Sequence, residues 1–327
     1  MHIQLTVIGL DKIGTSIGLA LKPHIEHIHR VGHDRKGENH KKAIDLGAFD
    51  ETPSNIKSAV ENADIVILAV PIDEILETIE FITPSLKAGT VLMDTSPLKI
   101  SISNFVTKHL PEERHFVTFQ PTINPMYLHE SGRGIENAHE DLFKNSKIII
   151  TSSPSTNGEA LKLAADLAKF VGSQPFFADP FEIDGLIAAT EILPQITAAA
   201  YIHAVTEQAG WVEGRKVAGS SFQSLSQNLY LINEREFFGR AATQNKENTI
   251  RVINNLIISL INIRDQIEHD EGHTIEQWFK TAKENHEKWL RERHQANWDQ
   301  VEDYSQVPTS GEFLGKMFGF GKRKKEK

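Results

Sequence analysis

The stretch Val7-Ile8-Gly9-Leu10-Asp11-Lys12-Ile13-Gly14 constrains this chain more than any other. It lies between an apolar run ending in glycine, Leu5–Gly9, and a stretch of helical composition, Thr15–Leu21. A glycine-containing turn between a first strand and a first helix is where backbone amides at a helix N-terminus hold a pyrophosphate. Gly9 and Gly14 occupy the outer positions of a G-x-G-x-x-G loop, and Asp34 follows Gly14 by 20 residues, at the end of the strand-like run His29–Asp34. A carboxylate there accepts the ribose hydroxyls of NAD. Arg35 is placed to reach the 2′-phosphate of NADP, but the carboxylate beside it argues for NAD. Lys12, Ile13, Val70 and Pro71 complete the expected cofactor-binding set. The middle glycine position holds Asp11. Its β-carbon obstructs the approach of a pyrophosphate and its carboxylate repels one, so binding is expected to be weakened; Lys12 is the neighbour able to draw the carboxylate aside.

Strand and helix signals alternate through the first half. Ile65–Val70 is a continuous apolar run, as expected of a strand covered on both faces, and Thr90–Asp94, Phe116–Phe119 and Lys147–Thr151 also read as strands. Gly37–Leu46 and Ile72–Ile82 have helical spacing. The pattern predicts an α/β class, with a Rossmann-type doubly wound parallel sheet over residues 1–178. Beyond Asp179 the strand signals stop. Ile183–Val212 is Ala-rich, Thr249–Ile267 carries Ile and Leu at helical spacing, and Glu276–Asn297 is helical and charged. This predicts an all-helical domain over 179–300, and the polar-poor run ITAAAYIHAV suggests burial on most sides, as in the core of a homodimer. Residues 301–327, ending in Lys322-Arg323-Lys324-Lys325, read as a disordered basic tail.

The 327 residues suffice for two cores, and a net charge of -9 argues against nucleic acid as a partner. With no cysteine, thiolate metal sites and a cysteine nucleophile are excluded. No apolar run approaches the roughly 20 residues of a membrane span, and the N-terminus lacks the basic n-region of a signal peptide, so a cytoplasmic location is expected. Of the 15 histidines, His24, His27, His29 and His33 cluster in sequence but straddle a helix end and a strand, and no metal site is expected.

Several longer segments resemble the prephenate/arogenate dehydrogenase family of tyrosine biosynthesis. GLDKIGTSIGLAL resembles its glycine loop and first helix, and ADIVILAVPIDEILETIEFITPSLKAGTVLMDTSPLK its central strand–helix–strand run. DPFEIDGLIAATEILPQITAAA, AGSSFQSLSQNL and FFGRAATQNKENTIRVINNLI resemble its helical domain, so the likeness spans roughly residues 1 to 295. The resemblance implies an NAD(P)-linked hydride transfer from a cyclohexadienol carboxylate with loss of carbon dioxide. It also implies a histidine on the ring hydroxyl, an assisting serine, and an arginine and second histidine on the substrate's anionic side chain.

Carried over position by position, those groups are replaced. The histidine of HPxxG is Gln120, followed by Pro121-Thr122-Ile123-Asn124. The serine position of D-x-x-S-V-K holds Pro97, beside Ser96 and before Lys99. The S-H-L-P helix reads Glu191-Ile192-Leu193-Pro194, the later arginine aligns with Gln227, and an H-D pair is Ile183-Asp184. An amide cannot serve as the base, whose loss removes a factor of roughly 10²–10⁴ in rate. Ser96, Lys99, Gln120 and Glu191 are the candidate catalytic residues, with Thr122, Asn124, Gln195 and Gln227 lining the substrate pocket. Lys99 and Glu191 are the candidates for proton transfer, against structural roles as a turn anchor and a helix-surface carboxylate. Two readings follow: a family oxidoreductase with altered chemistry, or a non-catalytic relative binding a metabolite or partner on the same dimeric scaffold.

Overall fold

The computed structural model describes residues 3–152, 156–227, 229 and 238–296, with Asp73 and Phe238 described by their backbone alone. The basic tail expected over 301–327 lies outside the described residues.

The first half is built on strands β1 (Ile3–Ile8), β2 (Ile28–His33), β3 (Ile65–Leu68), β4 (Val91–Asp94) and β5 (His115–Thr118). They form one five-stranded sheet in the order β2-β1-β3-β4-β5, parallel throughout. Helices α1 (Lys12–Ala20), α2 (Gly37–Asp45), α3 (Ile56–Val60), α4 (Ile72–Ile82) and α5 (Ile100–His109) make the connections. Successive strand residues face opposite sides, so the uninterrupted apolar runs serve two cores. Val7, Ile65, Ile67 and Met93 pack with Ile17 and Leu21 on one face, and Ile8, Val66, Leu68 and Leu92 pack with Ile75, Ile79 and Ile102 on the other.

Lys147–Thr151, expected in the same sheet, belongs to a second one. Strand β6 (Gln120–Pro121) pairs antiparallel with β7 (Lys147–Ile150), which pairs in parallel with β8 (Gln174–Phe177). Helix α6 (Gly158–Phe170) covers this sheet with Leu161, Ala164 and Leu167. The two sheets are stitched at Thr118, whose amide donates to the Thr151 carbonyl at 3.1 Å and whose hydroxyl meets that of Thr151 at 3.0 Å. The four clustered histidines do not converge: His24 lies against the Phe170 ring, His29 beside Glu51, and His33 on the Pro53 carbonyl.

After β8 the described residues are helical: α7 (Pro180–Ile187), a π turn (Ala188–Ile192), α8 (Leu193–Thr206), α9 (Trp211–Val217), α10 (Ser220–Ser226), α11 (Phe238–Gln244), α12 (Lys246–Glu268) and α13 (Gly272–Gln295). The π turn and α8 continue α7 without a break, giving a 27-residue helix, Pro180–Thr206, of mean hydropathy 1.3. By length and composition it could cross a membrane, contrary to the sequence expectation; Asp184 and Glu191 interrupt the apolar run without lowering its mean hydropathy enough to exclude a span. Asp184, however, is buried and tied to the sheet domain, so this helix is part of the fold.

The Ala-rich run is also less buried than its composition suggested. Within one chain, Gln195 and Ala198 are the buried residues of α8. Helix α12 likewise leaves Ile250, Ile257, Ile258, Leu260, Ile261 and Ile267 exposed.

Candidate active site

The two outer glycines of the loop are required by the backbone itself. Gly9 has φ +97, and a β-carbon on it would stand 2.3 Å from the Ala69 carbonyl oxygen. One on Gly14 would stand 1.8 Å from the Gly9 carbonyl oxygen, so α1 lies directly against the turn. The middle position has no such need: Asp11 is the N-cap of α1 in extended conformation, φ -81 and ψ -165, which any residue adopts. Asp34 reaches back to this turn. Its carboxylate accepts the Leu10 amide at 2.7 Å through one oxygen and the Lys36 amide at 2.7 Å through the other, leaving lone pairs on both for further donors. Arg35 pairs with Glu74 at 3.3 Å. Val70 lines the turn near Gly9, Pro71 caps α4, and Ile13 packs on the sheet core.

Lys12 is spoken for elsewhere than the sequence suggested. Its ammonium donates to Glu130 at 2.9 Å, and its backbone amide donates to the Arg133 carbonyl at 2.8 Å. Glu130 also meets His139 Nε2 at 3.0 Å, and hydrogen bonding from Lys12 holds its carboxyl below the usual range.

At the C-terminal end of β4, Ser96 and Lys99 share one buried turn. Asp94 accepts the Ser96 amide at 3.0 Å and the Ser96 hydroxyl at 2.7 Å, while the Lys99 ammonium donates to the Ser96 carbonyl. Asp184 of α7 closes the arrangement by accepting the Lys99 and Ile100 amides at 2.8 and 3.1 Å, capping the first turn of α5. The Asn245 side chain donates in turn to the Asp184 carbonyl at 2.6 Å. Burial raises the pKa of Asp94 and, despite the two amides, that of Asp184. Burial lowers that of Lys99 to about 8, against the attraction of both carboxylates. Lys99 is fully buried with its ammonium on its own turn, which fits the anchoring role.

The remaining positions divide. Thr122 exchanges hydrogen bonds with Lys147 along the β6–β7 edge, and Asn124 caps the turn Pro125–Tyr127. Both are structural. Gln227 is exposed. Ile192, where the resemblance places a histidine, is packed in an apolar cluster with Leu98, Ala241, Ile72, Ile196 and Ala242 that joins the helices to the sheet domain. Glu191 borders this cluster. Its side chain reaches solvent; partial burial raises its pKa and Arg133 pulls it back. Gln120 and Gln195 are each more than nine-tenths buried, and the amide oxygen of each lacks a hydrogen-bond partner among the described residues. A buried acceptor left alone costs about 1–3 kcal/mol, so both positions call for a donor from water or a bound molecule.

Glu130, Arg133, His139, Asp184's capping role and Arg293, whose guanidinium donates to the Ile123 carbonyl at 2.7 Å, were not legible as site elements in the sequence.

The family model described as "Prephenate dehydrogenase, nucleotide-binding domain" matches residues 17–175. The prephenate dehydrogenase of Bacillus subtilis is 25% identical over 84% of this chain and 73% of its own length. The cyclohexadienyl dehydrogenase of Zymomonas mobilis is 23% identical over 85% and 93%. This chain is prephenate dehydrogenase-like. The same fold is found in the prephenate dehydrogenase of A. aeolicus solved with hydroxyphenyl propionate and NAD+, at TM-score 0.75 and 20% identity over 88% of this chain and 98% of that one. Synechocystis arogenate dehydrogenase superposes at TM-score 0.68 with 21% identity, over 88% and 100%.

The buried lysine of this prephenate dehydrogenase-like chain makes a measurable demand on stability. Above pH 8 folded Lys99 loses its proton, while in the unfolded chain it keeps it to about 10.4. The unfolded state then binds more protons, so stability rises with pH across this window. Urea unfolding of wild type and Lys99→Met between pH 8 and 10 should show wild type gaining on the order of 2–3 kcal/mol relative to the variant. Parallel curves would mean that Lys99 titrates like a surface lysine.

Proposed function

We propose that the chain is an NAD-linked oxidoreductase of prephenate dehydrogenase type that does not carry out ordinary prephenate turnover. The observation that carries the cofactor half is Asp34 bonded to Leu10 at the Gly9–Gly14 turn, where an adenosine ribose would find an acceptor. The donor set fits a dinucleotide: Asp34 would take the ribose hydroxyls, and the first amides of α1 would take the pyrophosphate once the Arg133 carbonyl gives way. Asp34 would repel a 2′-phosphate, and Arg35 is engaged with Glu74, so NAD is favoured over NADP. The nicotinamide ring would supply a hydride acceptor.

What the chain's own residues offer is different from the family pattern. Gln120 can bind a substrate oxygen or amine but cannot remove a proton. The Ser96 hydroxyl is committed to Asp94, and the Ile192 position is apolar. Glu191 is the cleft residue whose carboxyl is drawn upward and open to solvent, so it is the group to hold or pass a proton. A dicarboxylate would be repelled by it, and a less anionic substrate would not.

A second reading, a non-catalytic relative that binds a metabolite or partner, is favoured by one observation: the Lys12 amide is already occupied by the Arg133 carbonyl. Calorimetric titration with NAD+, NADH, NADP+ and NADPH separates the two. The oxidoreductase reading expects micromolar binding of the NAD forms, weakened at least tenfold in Asp34→Ala; no binding to any of the four would leave the second reading.

The assembly we propose is a homodimer through the helical part. The exposed Ile257, Leu260 and Ile261 lie at i, i+3, i+4 on α12, a stripe wide enough to pack against a second copy. Sedimentation at micromolar concentration should show a dimer that Ile261→Glu dissociates. A monomeric wild type would rule the assembly out.

A further inference from the structure

The loop between β6 and β7 lies on the N-terminus of α1 with unusual polar fidelity. The Arg133 carbonyl takes the Lys12 amide at 2.8 Å, and the Glu130 carboxylate takes the Lys12 ammonium at 2.9 Å. One uncharged oxygen on a helix-terminal amide and one anionic oxygen on a lysine are together what a phosphate group would offer. The Lys12 side chain is 8% exposed, so this lysine is committed inward.

The segment is also held from its far side. His139 meets Glu130 at 3.0 Å, and its backbone amide donates to the Ser16 hydroxyl of α1 at 3.0 Å. The His139 ring stacks on Tyr127 at 4.0 Å, and the Tyr127 hydroxyl donates to Asp141 at 2.5 Å, an anchor that pushes the tyrosine pKa up to about 12. Glu130 therefore sits in a bracket made by α1 on one side and the loop's own aromatic pair on the other.

We propose that the segment from Glu130 to His139 is a built-in occupant of the pyrophosphate seat, and that a dinucleotide competes with it for Lys12. This rests on the dinucleotide reading above. The segment makes the loop's lysine serve an internal carboxylate, and cofactor enters only from the fraction of molecules in which the segment has lifted. The apparent dissociation constant is the intrinsic one divided by that fraction, so a weaker latch gives tighter cofactor binding with no new contact to the cofactor.

The test is calorimetry with NAD+ on wild type and Glu130→Gln, together with amide hydrogen exchange over residues 128–139. Glu130→Gln is expected to bind NAD+ about tenfold more tightly, and its segment to exchange faster. Saturating NAD+ should speed the same amides in wild type. His139→Ala, which leaves Lys12 paired and cuts the second anchor, should shift affinity in the same direction by less. Equal affinity in wild type and Glu130→Gln would overturn the competition while leaving the cofactor reading intact. Binding by neither protein would overturn both, and so would be told apart from the first failure. Exchange that NAD+ slows rather than speeds would also overturn it, since the segment would then close over the cofactor instead of yielding to it.

Discussion

One carboxylate, Asp184, fixes the geometry on which everything else depends. It enters from α7, 85 residues beyond Lys99, and accepts two backbone amides at the start of α5. A capping bond of this kind is worth about 1 kcal/mol on a surface helix. Here it is buried, and it sets the register between the long helix and the Asp94–Lys99 turn. With that register fixed, the π turn that follows exposes Glu191 and places Ile192 in the apolar cluster with Leu98. Asn245 fastens α12 to the same point. The join between sheet and helices is thus a polar cap surrounded by aliphatic packing.

The consequence for chemistry, on the proposed reading, is a site that keeps its frame and changes its contents. The frame is the Gly9–Gly14 turn, the Asp34 carboxylate and the Ser96–Lys99 turn, each maintained by backbone contacts that need no ligand. Beside it stand two buried amide oxygens without a partner among the described residues, at Gln120 and Gln195, and the Glu191 carboxyl, whose pKa burial raises. The two amide oxygens ask for hydrogen-bond donors. Arg133, the cation felt by Glu191, comes from the loop whose backbone also takes the Lys12 amide.

Much of the frame could be read from the sequence, because it follows from local rules. Continuous apolar runs such as Ile65–Leu68 belong to strands covered on both faces, and the glycine spacing followed by Asp34 located the turn. What escaped the sequence was set by contacts far apart in the chain. Strand β6 is two residues long and contains Pro121, and β8 contains Pro175, so neither carries a strand pattern of its own. Lys12 has Asp11 beside it in sequence, whereas its partner Glu130 lies 118 residues away. The ITAAAYIHAV run showed that α8 is apolar but not what covers it, and within one chain most of it remains partly open.

The proposal that Gln120 and the apolar Ile192 end ordinary prephenate chemistry is tested most directly by one assay. Purified wild-type protein is incubated with prephenate and NAD+, and 4-hydroxyphenylpyruvate is followed with NADH. No NAD-dependent product above the protein-free control is expected. Robust formation of both products would contradict the account and show that another group in the cleft takes the hydroxyl proton.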